Sequence, residues 1–290
     1  MRHIDTNGVT LAVDDRGDGY PVLFIHGFPE LAYSWRHVAP VVADAGYRAI
    51  SYDRRGTGES SGPSDVEAYA LDNQVGDAIG ILDRCGIDHA VFVGHDWGSI
   101  IAFAAALRYP DRVSHVVSLN VPYLGHAPGF PPTSVIRDKF KDRLGYVLTF
   151  LEPGVTEKRF NAAPDQWLQS LLAAVAGREG FITDEEFAYY RDSFVASGLS
   201  GQLNPYRNID RNNELFADVA GAALQQPALM ITTDRDPVLP AAMAEGMAAF
   251  AEDVAYAHIE DCGHWTQQER PVETSAIIVD WLDRRVRGHE

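Results

Sequence analysis

Short apolar runs alternate with longer amphipathic segments along the first 120 residues. The runs "YPVLFIHG" and "AVFVGH" are almost continuously apolar and are bounded by glycine, which is typical of strands buried on both faces. Segments 73–85 and 99–109 carry apolar positions at helical spacing, and Pro110 ends the second. This alternation predicts an α/β fold with a mostly parallel central sheet flanked by helices, in which "YRAISYD" and "RVSHVVSLN" are further strands.

The rhythm changes after residue 120. From 121 to 216 the β-runs vanish, and "DQWLQSLLAAVAG" and "DEEFAYYRDSFVASG" show helical spacing, with "HAPGFPPTS" and "EPG" as interruptions. The β/α alternation then returns with the strand "PALMITT", a helix over "AAMAEGMAAFA", the strand "VAYAHIE" and a final helix over 271–285. We therefore expect a core formed by 1–122 and 217–290, interrupted by a helical cap at 123–216.

Composition narrows the class of ligand. The chain has 290 residues with 46% hydrophobic content, which is enough to bury a large core. Its formal net charge of −17 disfavours nucleic acid and anionic membrane as partners, because a polyanion is repelled by most of such a surface. A small, neutral molecule is the expected ligand.

The chain carries no sign of export or of a resident cofactor. Its first residues lack the apolar segment of a secretory signal, and no stretch is long and apolar enough for a membrane span, so we expect a soluble, cytoplasmic protein. Cys85 and Cys262 are therefore expected to be reduced. Neither has a second cysteine or histidine at ligand spacing, and we expect no metal and no cofactor. The oligomeric state is left open, with a homodimer as one option.

The stretch "VFVGHDWGSI" has the form of a nucleophile turn between a strand and a helix. Asp96 stands where a serine hydrolase carries serine, while Ser99 comes one helical turn too late. An aspartate is ionised at neutral pH and suits displacement at a saturated carbon that bears a leaving group. That attack forms an ester on Asp96, whose hydrolysis needs a base and an oxyanion hole. The pattern predicts a two-step covalent hydrolase.

Other residues can supply what the second step needs. The backbone N–H of Trp97 begins the helix, and the loop of "HGFP" offers that of Phe28, so these two form the predicted oxyanion hole. The base is expected after the last strand, where "HIEDCGHW" supplies His264. Its acid is expected after the preceding strand, where "ITTDRDPVLP" offers Asp234 or Asp236.

The motifs "HGFPE", "DRRGTGES", "VFVGHDWGS", "EPGV", "YRNIDRN", "PALMITTDRDPVL" and "HIEDCGHWTQ" occur in an order and spacing that resemble the soluble epoxide hydrolases of the α/β-hydrolase fold. The resemblance covers residues 15–285. It implies that Asp96 is the nucleophile, that His264 is the base and that Asp236, rather than Asp234, is its acid. It also implies that Tyr146 and Tyr206 hold and protonate the epoxide oxygen, and that Phe28, Trp97, Tyr146 and Tyr206 contact the substrate.

The resemblance implies an enzyme that converts an epoxide and water to a vicinal diol. Thr149, where an aromatic residue can occur in the family, and Asn204–Pro205 before Tyr206 are departures that bear on the shape of the pocket. Without the resemblance, the residues alone do not select Tyr146 and Tyr206 from the 12 tyrosines. His95 beside the nucleophile is interpreted as structural.

Two other functions remain alternatives. A haloalkane dehalogenase shares the aspartate and the tryptophan after it, but it needs a second N–H donor for the halide, and Phe28 stands where an asparagine would serve. Trp167 could offer such a donor, although its helical spacing with leucines favours a place in the core. Loss of any one of the five predicted catalytic residues would favour a ligand-binding protein without catalysis, and the presence of all five argues against it.

Overall fold

A computed structural model describes residues 1–125 and 130–289. Its eight-stranded sheet has the order β1-β2-β4-β3-β5-β6-β7-β8, in which β1 and β2 are antiparallel to their neighbours and the other pairs are parallel. The strands are β1 Arg2–Thr6, β2 Val9–Arg16, β3 Tyr20–Ile25, β4 Tyr47–Tyr52, β5 Ala90–His95, β6 Val113–Leu119, β7 Ala228–Thr233 and β8 Val254–Ile259.

Helices cover both faces of this sheet, as the almost uninterrupted apolar runs predict. Every residue of β5 is buried: Ala90 and Phe92 pack in one apolar layer, while Val91 and Val93 pack in the layer on the opposite face. The helices outside the insert are α1 Ala39–Asp44, α2 Leu71–Arg84, α3 Trp97–Arg108, α11 Thr266–Glu269 and α12 Pro271–Arg285.

The predicted strands and helices are confirmed within two residues, although one helix is of the 3₁₀ type. The predicted helix over "AAMAEGMAAFA" is a 3₁₀ helix, Ala241–Ala249. Its buried residues Ala244 and Met247 are three positions apart, which fits three residues per turn rather than 3.6. The hairpin of β1 and β2 was not predicted, although Asn7-Gly8, both with positive φ, is a common two-residue turn between strands.

Seven α-helices lie between β6 and β7 in the described part of the chain. Two of them, α7 and α8, match the predicted helical segments, while the first four residues of "HAPGFPPTS", 126–129, lie outside the described residues. We call these seven the inserted helices: α4 Thr133–Lys139, α5 Lys141–Leu148, α6 Val155–Ala162, α7 Pro164–Val175, α8 Asp184–Ser197, α9 Ser200–Arg207 and α10 Ile209–Leu215.

The inserted helices meet the sheet at the carboxyl ends of its strands. His264, which follows β8, donates its backbone N–H to the carbonyl of Val175 at the end of α7 (2.9 Å). Gln202 in α9 donates its side-chain amide to the carbonyl of Glu30, in the loop after β3 (2.6 Å). In open parallel sheets this edge is where ligand sites form. Among the described residues, no helix is long and apolar enough to cross a membrane.

Candidate active site

Asp96 occupies a strained turn between β5 and α3. Its φ of 53° and ψ of −121° lie outside the regions that L-amino acids normally adopt. The turn requires Gly98, because a Cβ there would lie 1.9 Å from the carbonyl oxygen of Ile25. The strain is characteristic of a residue whose side chain must project from the end of a strand.

One oxygen of Asp96 is already bound. The backbone N–H of Phe28 donates to Oδ1 at 2.9 Å, and the two loops approach so closely that a Cβ on Gly27 would lie 2.5 Å from the Cβ of Asp96. Trp97 follows as the first residue of α3, so its N–H lies at the helix N-terminus. Oδ2 therefore remains as the oxygen available for attack.

His264 stands between two aspartates. Its Nδ1 lies 2.7 Å from Oδ2 of Asp236, and its Nε2 lies 3.8 Å from Oδ2 of Asp96. Asp236 is held in turn by the backbone N–H groups of Val238 and Leu239 on Oδ1 and by the amide of Asn120 on Oδ2. Both aspartates are therefore held at the imidazole by contacts that fix their orientation.

Asp234, the alternative acid, lies elsewhere. Its carboxylate accepts the backbone N–H of Cys262 at 3.0 Å and lies 3.7 Å from the guanidinium of Arg235. Of the two candidates that the sequence offers, the structure brings Asp236 to the imidazole.

The two acids set the charge of His264. Burial by itself would lower the pKa of the imidazole, but Asp236, through its charge and its hydrogen bond, together with the charge of Asp96 raises that pKa to about 9. Burial opposes the ionised form of Asp236 as well, yet His264 and the backbone N–H groups lower the pKa of this carboxyl to about 2. The two neighbouring acids therefore favour the protonated form of the His264 imidazole.

His95 and Glu30 form a buried pair next to Asp96, the predicted nucleophile, and this pair connects the loops of the site. Nδ1 of His95 lies 2.7 Å from Oε2 of Glu30, and both side chains are fully buried. The other ring nitrogen of His95 lies 2.7 Å from the backbone carbonyl of His264, which can only accept a hydrogen bond. Glu30 also accepts from the N–H of Gly27 and from the amides of Gln267 and Gln268. Because of these contacts, His95 joins the loops after β3, β5 and β8.

Glu269 holds the loop that carries His264, the predicted base. Its carboxylate accepts the backbone N–H groups of Gly263 (2.9 Å) and Trp265 (3.0 Å), the residues on either side of His264. A third N–H comes from Gly177, just after α7 (2.9 Å). One carboxylate thus fixes both the backbone around His264 and its position against the inserted helices.

Sequence reasoning missed Glu30 and Glu269 as residues of this site. Glu30 ends the motif "HGFPE" and Glu269 follows the motif "HIEDCGHWTQ" by two residues, but a single carboxylate in a loop has no spacing that distinguishes it from a surface residue. Their complete burial against backbone N–H groups is visible only in three dimensions.

The two predicted tyrosines approach the site from the inserted helices. Tyr206 of α9 is buried, with ring centroids 5.2 Å from Phe28, 5.1 Å from Trp97 and 5.1 Å from Phe150. Tyr146 of α5 packs against the same Phe150 at 5.8 Å. Burial and the charge of Asp96 raise the pKa of both phenols, so both are neutral donors at ordinary pH. The structure therefore brings all five predicted catalytic side chains to one region.

A cavity of about 490 Å³ opens at Asp96. Tyr146 lines it together with mostly apolar side chains, and its entrance includes Lys139 and Phe140, which are exposed. Among the described residues, no group of three or more His, Cys, Asp or Glu side chains could hold a metal ion. The remaining lining residues are Ile100, Val121, Pro122, Leu124, Phe130, Pro131, Pro132, Val135, Arg143, Leu144, Asn213, Val238, Leu239 and Met243.

Comparisons with known proteins identify the family of the chain. A family model described as alpha/beta hydrolase fold matches residues 20–271. Epoxide hydrolase A of Mycobacterium tuberculosis is 38% identical, over 97% of this chain and 96% of that protein. Bifunctional epoxide hydrolase 2 of Sus scrofa is 36% identical over 97% of this chain, which spans about half of that longer protein (54%). The crystal structure of epoxide hydrolase A from Mycobacterium thermoresistibile superposes with a TM-score of 0.89 at 36% identity, covering 97% of both chains.

Proposed function

The chain belongs to the epoxide hydrolases of the α/β-hydrolase fold, and from this premise we propose that it converts epoxides to vicinal diols through an ester on Asp96. The observation that carries this proposal is that the two oxygens of Asp96 have different contacts. Oδ1 accepts the N–H of Phe28, while Oδ2 faces His264 in a site that opens to the cavity. Such a carboxylate is oriented for attack before the substrate arrives.

In the first step, Oδ2 of Asp96 attacks one carbon of the epoxide. The C–O bond of the ring breaks, and the oxygen leaves with the electron pair as an alkoxide, which is a poor leaving group unless it is protonated. Tyr146 and Tyr206 bind this oxygen, and one of them transfers its phenolic proton. The products are a hydroxyalkyl ester and a tyrosinate, which regains its proton from the imidazolium of His264.

When His264 gives its proton to the tyrosinate, its imidazole becomes neutral and can act as the base of the second step. Ester formation removes the negative charge of Asp96, one of the charges that raise the pKa of His264, so the imidazole becomes neutral more readily. Neutral His264 then takes a proton from water as the water oxygen attacks the ester carbonyl. The oxyanion develops on Oδ1, where the N–H of Phe28 already lies and that of Trp97 adds to it.

The cycle closes without an outside proton donor. The tetrahedral intermediate collapses, the diol oxygen leaves with the proton of His264, and the new carboxylic acid of Asp96 returns its proton to the imidazole. One water is consumed, and the starting charges are restored. Asp236 keeps the imidazole oriented and stabilises its positive charge throughout.

A haloalkane dehalogenase remains the second candidate, because it would use the same aspartate. It needs two N–H donors for the halide, and Trp97 is one available indole. Trp167, the other indole that the sequence offers, packs against Phe160 at 5.5 Å and does not line the cavity formed by the described residues. Two phenols near the nucleophile suit an alkoxide, which needs a proton, better than a halide, which needs none.

The proposal is tested by mass spectrometry of the His264→Gln variant, which should form the ester but not hydrolyse it. We expect styrene oxide to add its full mass to the peptide that contains Asp96, and a further Asp96→Asn change to abolish the adduct. An adduct from 1,2-dibromoethane alone would favour the dehalogenase. An adduct from neither compound would contradict a covalent hydrolase and favour a binding protein.

We further propose that residues 1–122 and 217–290 form the catalytic core and 123–216 a cap that supplies the phenols. The ring contacts of Tyr206 with Phe28 and Trp97 support this division, because they join α9 to the loops at the nucleophile. A small epoxide and water are the proposed partners. The cytoplasmic location remains a prediction from the sequence, and a homodimer remains one option.

A further inference from the structure

Two cations line the cavity on a protein that is strongly acidic overall. The net charge of −17 favours a neutral ligand, yet two of the three lysines in the chain, Lys139 and Lys141, lie around the junction of α4 and α5. Lys139 and Arg143 line the cavity, whereas the neighbouring carboxylates of Asp138 and Asp142 are exposed to solvent and do not line it. The local charge that a ligand meets at the entrance is therefore positive.

Arg143 has few partners of its own. Its Nη1 donates to the sulfur of Met243 at 3.2 Å, and the guanidinium lies 5.5 Å from the centre of the Phe140 ring. Its Nε is buried without a hydrogen bond in the described structure. Neither Arg143 nor Lys139 forms an ion pair with any described carboxylate, although most other arginines of the chain do.

The cationic groups of Arg143 and Lys139 can therefore still bind an anionic group of a ligand. A partly buried guanidinium without an anion forgoes the charge-assisted, bidentate hydrogen bonds for which its planar fork is suited. The rest of the lining, including Leu144, Val238 and Leu239, is apolar and suits a hydrocarbon body. A ligand that matches the whole cavity has an apolar body with an anion at one end.

We propose that Lys139 and Arg143 bind a carboxylate on the substrate, so that the preferred substrates are epoxides with a compact apolar body and an anionic group remote from the ring. This rests on the proposed function, since it places the epoxide at Asp96 and the anion at the entrance of the same cavity. A neutral epoxide fills the apolar part of the cavity and leaves the two cations unmatched.

Arg143 has one competing role. It precedes Tyr146 by three residues on α5, and its positive charge favours the tyrosinate. That role acts on every epoxide alike, whereas a carboxylate site acts on anionic epoxides alone. The ratio of two matched substrates separates the two roles.

The test compares 4-(oxiran-2-yl)benzoate with 4-(oxiran-2-yl)benzamide, which differ in charge but little in shape. We expect the wild-type protein to favour the carboxylate by about tenfold in kcat/KM, the size of one charge-assisted contact. In the Lys139→Gln/Arg143→Gln variant this ratio should fall to about one, mainly through a higher KM for the carboxylate. Arg137→Gln/Lys141→Gln, which changes two cations of the same helices outside the cavity lining, is the matched control and should keep the ratio.

Two outcomes would overturn the inference: an unchanged ratio in the cavity variant, or an equal loss of activity on both substrates, which would assign Arg143 to Tyr146. Binding of the two corresponding diols, measured by titration calorimetry, tests the anion site without catalysis. If no epoxide reacts but the benzoate diol binds more tightly than the amide diol in a cation-dependent way, the proposed function fails and the anion site stands. If styrene oxide reacts and neither comparison shows charge dependence, only the anion site fails.

Discussion

The two sides of the active site are built in different ways. On the sheet side, Asp96, His264 and Asp236 are held by a continuous set of short hydrogen bonds to backbone N–H groups and buried polar side chains. On the side of the inserted helices, Tyr146 and Tyr206 are held by aromatic packing around Phe150, and the described residues form no comparable hydrogen-bond network there.

This difference corresponds to two demands of the proposed chemistry. Attack on the epoxide and the later hydrolysis of the ester both require the reacting groups to be positioned to a fraction of an ångström. Directional hydrogen bonds can hold side chains that closely. Protonation of an oxygen that moves as the ring opens tolerates more variation, and apolar packing keeps the phenols neutral and free of competing acceptors. We expect changes on the sheet side to cost more activity than changes on the helical side.

The largest effect is expected for Asp96→Asn, because it removes the proposed nucleophile itself. We predict a loss of roughly 10⁴-fold or more in epoxide turnover. Asp261→Asn is the matched control, since Asp261 is also an aspartate with positive φ (56°) but lies at an exposed ion pair. Progress curves for both variants, with mass spectrometry to exclude deamidation, give the answer. Near-normal turnover in the first variant would contradict the covalent route.

A smaller effect is expected when both phenols are removed. Tyr146→Phe/Tyr206→Phe keeps the rings but loses the proton donors, and ring opening should slow by roughly 10³-fold. Pre-steady-state measurement of adduct formation tests this, with Tyr189→Phe as the control from α8, whose ring is exposed. A deeper loss than for Asp96→Asn would reverse the proposed order of the two sides.

The protonation of His264 should make the free energy of unfolding depend on pH. The pKa of His264 is raised to about 9 in the folded protein, so the imidazolium contributes fully below pH 6.5 and its contribution disappears as the pH rises to 9. The free energy of unfolding should fall over this interval by up to about 3 kcal/mol. Urea denaturation at both pH values measures the difference, and His264→Gln should remove most of it. If the His264→Gln variant keeps the full decrease in the free energy of unfolding, other titrating groups cause that decrease.

The smallest of these effects is expected for Glu269→Gln. The amide can still accept hydrogen bonds but weakens the set of three N–H contacts around His264, and we predict about a tenfold slower hydrolysis of the ester. The rate of ester formation should fall less, because Asp96 keeps its own contacts. Glu273→Gln, which changes a half-exposed carboxylate that pairs with Arg270, is the control. An equal loss in both steps would indicate general destabilisation.

Much of the fold and the identities of the central residues were predictable, because their signals are local. Continuous apolar runs predicted the buried strands, and a carboxylate between glycines at a strand end predicted the place of Asp96. The helix predicted at 241–251 is present, but its 3₁₀ type was not predicted, because alanine-rich sequence fits more than one helical period. The tyrosines came from family resemblance alone, since nothing local separates them from packing residues.

The sequence by itself determined the strands, the helical interruption and the residue types at the nucleophile and the base, since each depends on neighbours within a few positions. Local sequence left Asp234 and Asp236 open, family resemblance favoured Asp236, and the structure brings Asp236 to His264. Only the tertiary structure decided that Glu30 and His95 join three loops, and that Arg143 lines the cavity without an ion pair to any described carboxylate. These outcomes depend on how loops distant in sequence pack at one edge of the sheet. Asp234 and Asp236 are only two residues apart, yet the first accepts the N–H of Cys262 and the second meets His264, and no local pattern records this difference.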